Sequence, residues 1–181
     1  MNLNTQLFYF INNGLSNPYF DFIMPHLSNF GGLTFYACLF IALLIITRRD
    51  MFGLKKYYPL VKLCICSLLL CVLITACLKF LFSSPRPSLV LEHVNLLTTS
   101  VDTNSFPSGH SSTTLSIMTV LFLKAKDYFN RFNLIRCCTI LYCIIIAFSR
   151  VYIGMHFPFD VLVGIVIGMT SALLVVKYLK V

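Results

Sequence analysis

The sequence predicts an all-α membrane protein. It reads as a bundle of about five transmembrane helices, or six if residues 3–24 hold a crossing of their own, preceded by an N-terminal interfacial amphipathic helix. Composition is the first reason: 58% of the residues are hydrophobic and 11% are charged, against about 25% charged in a soluble domain. Second, several apolar runs approach or exceed the ~18–20 residues that a helix needs to cross a bilayer. Third, most basic residues cluster between those runs. One domain, 1–181, is expected, with its motif-bearing core at about 60–176.

Residues 3–11, Leu-Asn-Thr-Gln-Leu-Phe-Tyr-Phe-Ile, would make a short amphipathic helix that ends near Asn12-Asn13-Gly14. A second helix is expected after Ser16-Asn17-Pro18, since proline is tolerated at a helix start, where its missing N–H is not needed. It passes Pro25 and Gly31-Gly32 with a bend and enters the apolar stretch 33–47, which is too short to span alone. The second span runs from about 60 to 82, and 83–107 forms the longest external connection. Within that connection the run Leu89–Leu97 suits an interfacial helix. The third span opens at Pro107 and reaches about 123, the fourth covers 136–149, and the fifth runs from Pro158 to about 176. Gly164 and Gly168 in the fifth have Gly-x3-Gly spacing, which permits close helix approach in lipid. No removable signal peptide is expected, because the N-terminal residues lack a basic segment.

The net charge of +8 is a topological signal. Arg48, Arg49, Lys55, Lys56 and Lys62, then Lys124, Lys126, Arg131 and Arg136, then Lys177 and Lys180, fall on one side if the spans alternate. Lys79, Arg86 and Arg150 fall on the other. The positive-inside rule makes the larger set cytoplasmic. The face carrying Lys79, Arg86 and Arg150 then points away from the cytoplasm, and the lipid bilayer, not nucleic acid, is the expected partner. All eight cysteines lie within apolar runs, and Cys64-x-Cys66 places its thiols on different helix faces. They read as small packing residues and not as a zinc or redox site.

The chemically expensive residues sit in three short motifs: Lys79-x6-Arg86-Pro87, Pro107-Ser108-Gly109-His110, and Ser149-Arg150-x5-His156-x3-Asp160. Alternating spans bring the motif-bearing ends to one face. Ionisable groups at membrane depth are costly and usually functional. Lys79 alone could equally be a snorkelling anchor, but Arg86 and Arg150 at the same level favour phosphate binding. Ser-Gly is an ordinary helix start, but that reading does not require His110. A helix opening at Pro107–His110 would aim free N–H groups and its positive dipole end at an anion. His156 and Asp160, at i and i+4 around Pro158, can share a face, so that the carboxylate holds one ring nitrogen and leaves the other to attack phosphorus. The inventory suits a tetrahedral dianion.

This set of spacings resembles the type 2 phosphatidic acid phosphatase (lipid phosphate phosphatase) superfamily, with every matched position present. The resemblance covers about 60–176, and 1–59 match only in hydropathy. It implies that His156 is the nucleophile, forming a phosphohistidine, and that Asp160 orients it. His110 is implied as acid for the departing alkoxide and then as base for water. Lys79, Arg86, Ser108, Gly109 and Arg150 would bind the phosphoryl oxygens, with no metal and no cofactor required. The short chain is similar to compact bacterial members. The resemblance thus implies a bacterial inner membrane with the active site facing the periplasm or exterior, and a membrane lipid-phosphate substrate, lipid A phosphate or phosphatidylglycerophosphate. Undecaprenyl diphosphate is disfavoured, because many dedicated enzymes of that kind have Asp where this chain has Gly109. A lipid phosphotransferase would use the same residues. A non-enzymatic lipid-binding or carrier protein would need a missing catalytic residue, and none is missing. The sequence leaves the oligomeric state open.

Overall fold

The long apolar runs expected to cross the membrane all become helices. A computed structural model describes residues 1–98 and 103–179. The helices are α1 (Leu3–Asn12), α2 (Pro18–Asn29), α3 (Leu33–Arg48), α4 (Tyr58–Phe82), α5 (Pro87–Val90), α6 (Gly109–Tyr128), α7 (Phe132–Tyr152) and α8 (Pro158–Tyr178). Two short 3-10 turns at 51–53 and 55–57 join α3 to α4. The side chains of Asn2, Asn17 and Ser108 cap α1, α2 and α6, each satisfying an N–H that the helix itself cannot. Among the described residues the β-type pairing is an isolated antiparallel bridge between Pro85 and Asn104.

α4, α7 and α8 are each long and apolar enough to cross a membrane. α2 and α3 pass the same test together, bent by 49° at a short break, as the Gly31-Gly32 reading anticipates. α6 has 20 residues, about 30 Å of helix, but its composition is less apolar because Ser111, Ser112, Thr113, Thr114 and Ser116 are buried in the bundle. Their hydroxyls find partners there. Thr75 pairs with Ser112 at 3.0 Å, Ser67 donates to Ser116 Oγ at 3.2 Å, Tyr36 donates to Thr114 at 3.2 Å, and Thr113 donates to the Gly31 carbonyl at 2.8 Å. α6 is therefore the centre of the bundle, packed against α4, α7 and α8.

α8 lies unusually close to α6. A Cβ placed on Gly164 would sit 2.7 Å from the Ser108 carbonyl oxygen, and one on Gly168 would overlap the Ser112 carbonyl. The Gly-x3-Gly spacing thus serves helix approach, as small residues do in lipid.

α1 is amphipathic as expected, with Phe8 and Asn12 inward and Leu3, Leu7 and Phe10 outward. Phe8 packs with Val151 of α7 and Val161 of α8. The expected helix over Leu89–Leu97 is corrected: helix ends at Val90, and Leu91 is already extended. The physical reason is that outside partners take the backbone groups a helix would use. Tyr9 donates to Glu92 O, Asn13 to His93 O, and Leu97 N to Ile153 O. Of the eight free cysteines, Cys64 and Cys71 are buried, whereas Cys38, Cys77, Cys137 and Cys138 lie on exposed helix surfaces. The packing reading holds for the first pair and not for those four. Lys180, placed among the cytoplasmic cations, lies outside the described residues.

Candidate functional site

The three motifs meet where α4 and α7 end and where α6 and α8 begin. Lys79 occupies the last turn of α4, Arg86 caps α5, and Arg150 occupies the last turn of α7. Ser108 caps α6, and Gly109 and His110 are that helix's first two residues. Asp160 lies in the first turn of α8, where its carboxylate accepts from Phe157 N at 2.9 Å. The close α6–α8 packing lets Ser108 N donate to the Asp160 carbonyl at 3.0 Å, joining the second and third motifs through the backbone. Ser108 Oγ also accepts from Ser111 Oγ at 3.0 Å.

His156 reaches the site through a left-handed turn at Gly154, whose φ is +81°. That region favours glycine, and such a residue commonly ends a helix. The turn folds Met155 N and His156 N back onto the Arg150 carbonyl, at 3.2 Å each. His156 and Arg150 are thereby held on either side of one tight loop.

Arg86 Nη1 donates to Met155 O at 2.8 Å and lies 3.3 Å from His156 Nε2. A guanidinium carries donors only, so Nε2 must accept and the ring proton sits on Nδ1. Nδ1 faces Asp160 Oδ2 at 3.8 Å, the expected pairing at ion-pair range. A shorter route runs through Ser105, whose Oγ lies 3.3 Å from Nδ1 and 2.5 Å from Asp160 Oδ2. Sequence reasoning missed Ser105. It stands two residues ahead of Pro107, and nothing in its local pattern marks it.

Lys79 Nζ donates to the Asn104 carbonyl at 2.6 Å. Arg150 Nη1 donates to Ser28 Oγ at 2.5 Å, while its buried Nε has no hydrogen-bond partner among the described residues. His110 faces the bend between α2 and α3, where a Cβ on Gly32 would lie 3.2 Å from His110 Nε2. Ser28 and Gly32 were also missed. The available signal was a Ser beside a Gly-Gly bend in an apolar helix, which is common in structural contexts.

Arg86, Arg150, His156 and Asp160 are all buried, at 7%, 4%, 2% and 4% relative exposure. Burial, followed by the charges of Arg150, Arg86 and Lys79, holds the His156 imidazole well below its ordinary range, because each disfavours the protonated form. His156 is therefore a neutral ring with its Nε2 lone pair beside a guanidinium. The charges of Arg150, Arg86 and Lys79 also act on His110, as does His156, so all the motif cations share one electrostatic neighbourhood. Phe82, Phe106 and Phe159 line up beside it, with ring centroids 5.2 and 6.1 Å apart. Among the described residues no group of three or more His, Cys, Asp or Glu side chains is gathered for a metal ion.

Comparison with known proteins places this geometry in a family. Residues 59–181 match the PAP2 superfamily. The chain is 27% identical to the bacitracin transport permease protein BcrC of Bacillus licheniformis, over 96% of this chain and 79% of that protein. It is 24% identical to an undecaprenyl-diphosphatase of Sulfolobus acidocaldarius, over 91% of this chain and 73% of that protein. The crystal structure of Aquifex aeolicus LpxE superposes with a TM-score of 0.80 at 33% identity, covering 98% of this chain and 97% of that one. A PAP2-type phosphatidylglycerolphosphate phosphatase from Bacillus subtilis shares the fold, with a TM-score of 0.77 at 22% identity over 98% of this chain and 87% of that one. The chain belongs to the PAP2 superfamily and is an integral-membrane lipid phosphatase.

Proposed function

We propose that this phosphatase removes a terminal phosphate from a lipid headgroup in two steps, through a phosphohistidine at His156. The observation that carries the reading is the placement of the His156 ring, with Nε2 3.3 Å from Arg86 Nη1 and Nδ1 turned toward Ser105 and Asp160. In the first step Nε2 attacks phosphorus, the bond from phosphorus to the lipid oxygen breaks, and His110 donates a proton to the departing alkoxide. In the second, His110 takes a proton from water, the resulting hydroxide attacks phosphorus, and the phosphorus–nitrogen bond breaks to release inorganic phosphate. Such an acid–base exchange suits one imidazole acting in both directions.

Lys79, Arg86 and Arg150 hold the phosphoryl oxygens, with the N–H groups at the start of α6 and the Ser108 hydroxyl completing the cradle. Preorganised donors of this kind stabilise charge in the transition state without reorganising. Arginine's planar fork suits the trigonal phosphoryl geometry. Arg150 Nε, buried and without a partner among the described residues, is a donor available to that anion.

Phe82 and Phe159 are exposed beside the site, apolar rings suited to contact with the acyl region of a bilayer. A headgroup would reach it by lateral diffusion. The proposed substrates are lipid A phosphate or phosphatidylglycerophosphate. The charge distribution supports a bacterial inner membrane with the site facing the periplasm or exterior, and the whole chain acting as one unit. Undecaprenyl diphosphate is the second reading, favoured by the relative named undecaprenyl-diphosphatase.

The test is phosphate release by detergent-purified protein, with chelator present, from lipid A, phosphatidylglycerophosphate, phosphatidic acid and undecaprenyl diphosphate in parallel. Release from a monoester lipid, abolished in His156→Ala, is the expected result. Preferential release from undecaprenyl diphosphate would replace the substrate assignment. Undiminished release by His156→Ala would remove the nucleophile assignment.

A further inference from the structure

Taking His156 as the nucleophile, as proposed above, we infer that Ser105 is a positioning residue through which Asp160 acts on His156. The direct separation of His156 Nδ1 from Asp160 Oδ2 is 3.8 Å, longer than a hydrogen bond. Ser105 Oγ fills the gap, 2.5 Å from Oδ2 and 3.3 Å from Nδ1. The side chain is fully buried, at 0% exposure.

Donor counting sets the direction of this relay. An ionised carboxylate only accepts, so the single Ser105 hydroxyl proton goes to Asp160. Ser105 Oγ then has only lone pairs left, and its partner Nδ1 must be the donor. The chain Nδ1–H to Oγ–H to Oδ2 therefore agrees with the tautomer that Arg86 demands from the other side of the ring. No bond breaks at Ser105 during the reaction. When Nε2 bonds to phosphorus the ring becomes cationic with Nδ1 still protonated, and the hydroxyl passes that charge's polarising effect on to the carboxylate.

The backbone holds Ser105 in place for this role. Ser105 N donates to Ser84 O at 2.7 Å, and Asn104 bridges Pro85. The Asn104 carbonyl also accepts from Lys79. The segment carrying Ser105 is thus paired with the segment that delivers Arg86, so the contacts at both ring nitrogens of His156 come from two bridged pieces of chain.

The experiment is 15N NMR of the full chain in detergent, labelled at its four histidines, with the His156 signals assigned by their loss in His156→Gln. The wild-type His156 should be neutral and protonated on Nδ1. Ser105→Ala, which keeps the backbone N–H to Ser84, should shift the His156 Nδ1 signal and lower kcat by about 10- to 100-fold, the scale of one hydrogen bond to a charged network. KM should stay within about two-fold, since no phosphate contact is removed. Ser105→Thr should restore both readouts. A wild-type His156 protonated on Nε2 overturns the inference without any variant. So does Ser105→Ala with kcat and signal unchanged, or with reduced kcat and an unmoved signal, which assigns Ser105 a packing role. Full phosphate release by the His156→Gln chain would instead remove the nucleophile reading, a separate failure.

Discussion

Asn12 of α1 and Asn95 of the external connection exchange two hydrogen bonds. Asn12 Nδ2 donates to Asn95 O at 2.8 Å, and Asn95 N donates to Asn12 Oδ1 at 2.9 Å. The same Nδ2 donates to Tyr152 O at 2.7 Å. One buried amide therefore ties the N-terminal helix, the external connection and the end of α7 together, and the end of α7 carries Arg150. Asn12→Ala leaves these backbone groups unmatched, at a cost of about 1–3 kcal/mol. Thermal unfolding in detergent should show a lower midpoint. An unchanged midpoint would mean that the knot contributes nothing to stability.

Gly168 and Gly109 should respond to alanine in opposite ways. At Gly168 the new methyl meets the Ser112 carbonyl and Leu115, so α8 must move off α6, with a loss of about 1–3 kcal/mol or more from overpacking. At Gly109 a Cβ meets nothing within 4 Å, so the new methyl costs no packing, but it would stand at the proposed phosphate cradle. Gly109→Ala should unfold like wild type yet bind phosphate and substrate more weakly. Wild-type KM in Gly109→Ala would show that the start of α6 does not cradle the anion.

Arg86→Lys tests the guanidinium as such. Lysine keeps the charge but loses the planar guanidinium, whose Nη1 meets Met155 O and His156 Nε2 and whose fork suits a phosphoryl group. A fall of roughly 100-fold in kcat/KM is expected, the scale reported for removing one oxyanion donor. Activity within about two-fold of wild type, measured on the same lipid, would reduce Arg86 to a point charge.

His156 also predicts a pH dependence of stability. Its folded pKa lies below the ordinary 6.5, owing to burial and then to Arg150, Arg86 and Lys79. Below that ordinary value the unfolded chain binds a proton that the folded chain does not. Its contribution is therefore present above about 6.5 and is lost as pH falls, by up to ~1.4 kcal/mol per pH unit. Between pH 7.5 and 5.5 the unfolding midpoint of wild type should drop further than that of His156→Gln. Parallel curves for the two proteins would contradict the depressed pKa.

The crossing helices and motif positions were legible because their signals are either long or densely spaced. Apolar runs, basic clusters and three spaced motifs survive without any tertiary information, and Gly164 and Gly168 announce their close contact by interval alone. Ser105, Ser28 and Gly32 were not legible for the opposite reason. Each is a small residue whose meaning comes only from what it touches: Asp160 and His156, Arg150, and His110. Leu89–Leu97 misled because its apolar content suits a helix, whereas α1 and the end of α7 claim its backbone.

The hydroxyl-rich face of α6 bears on how the chain enters the membrane. Lone in lipid, α6 would present Ser and Thr groups to hydrocarbon at a cost in free energy. The groups that hydrogen-bond with its hydroxyls, Gly31, Tyr36, Ser67 and Thr75, all precede it in the chain. During synthesis α3 and α4 emerge first and offer a polar seam before the helix that needs it arrives. The central helix of the bundle is thus suited to insert last among these three, against a surface already prepared for it.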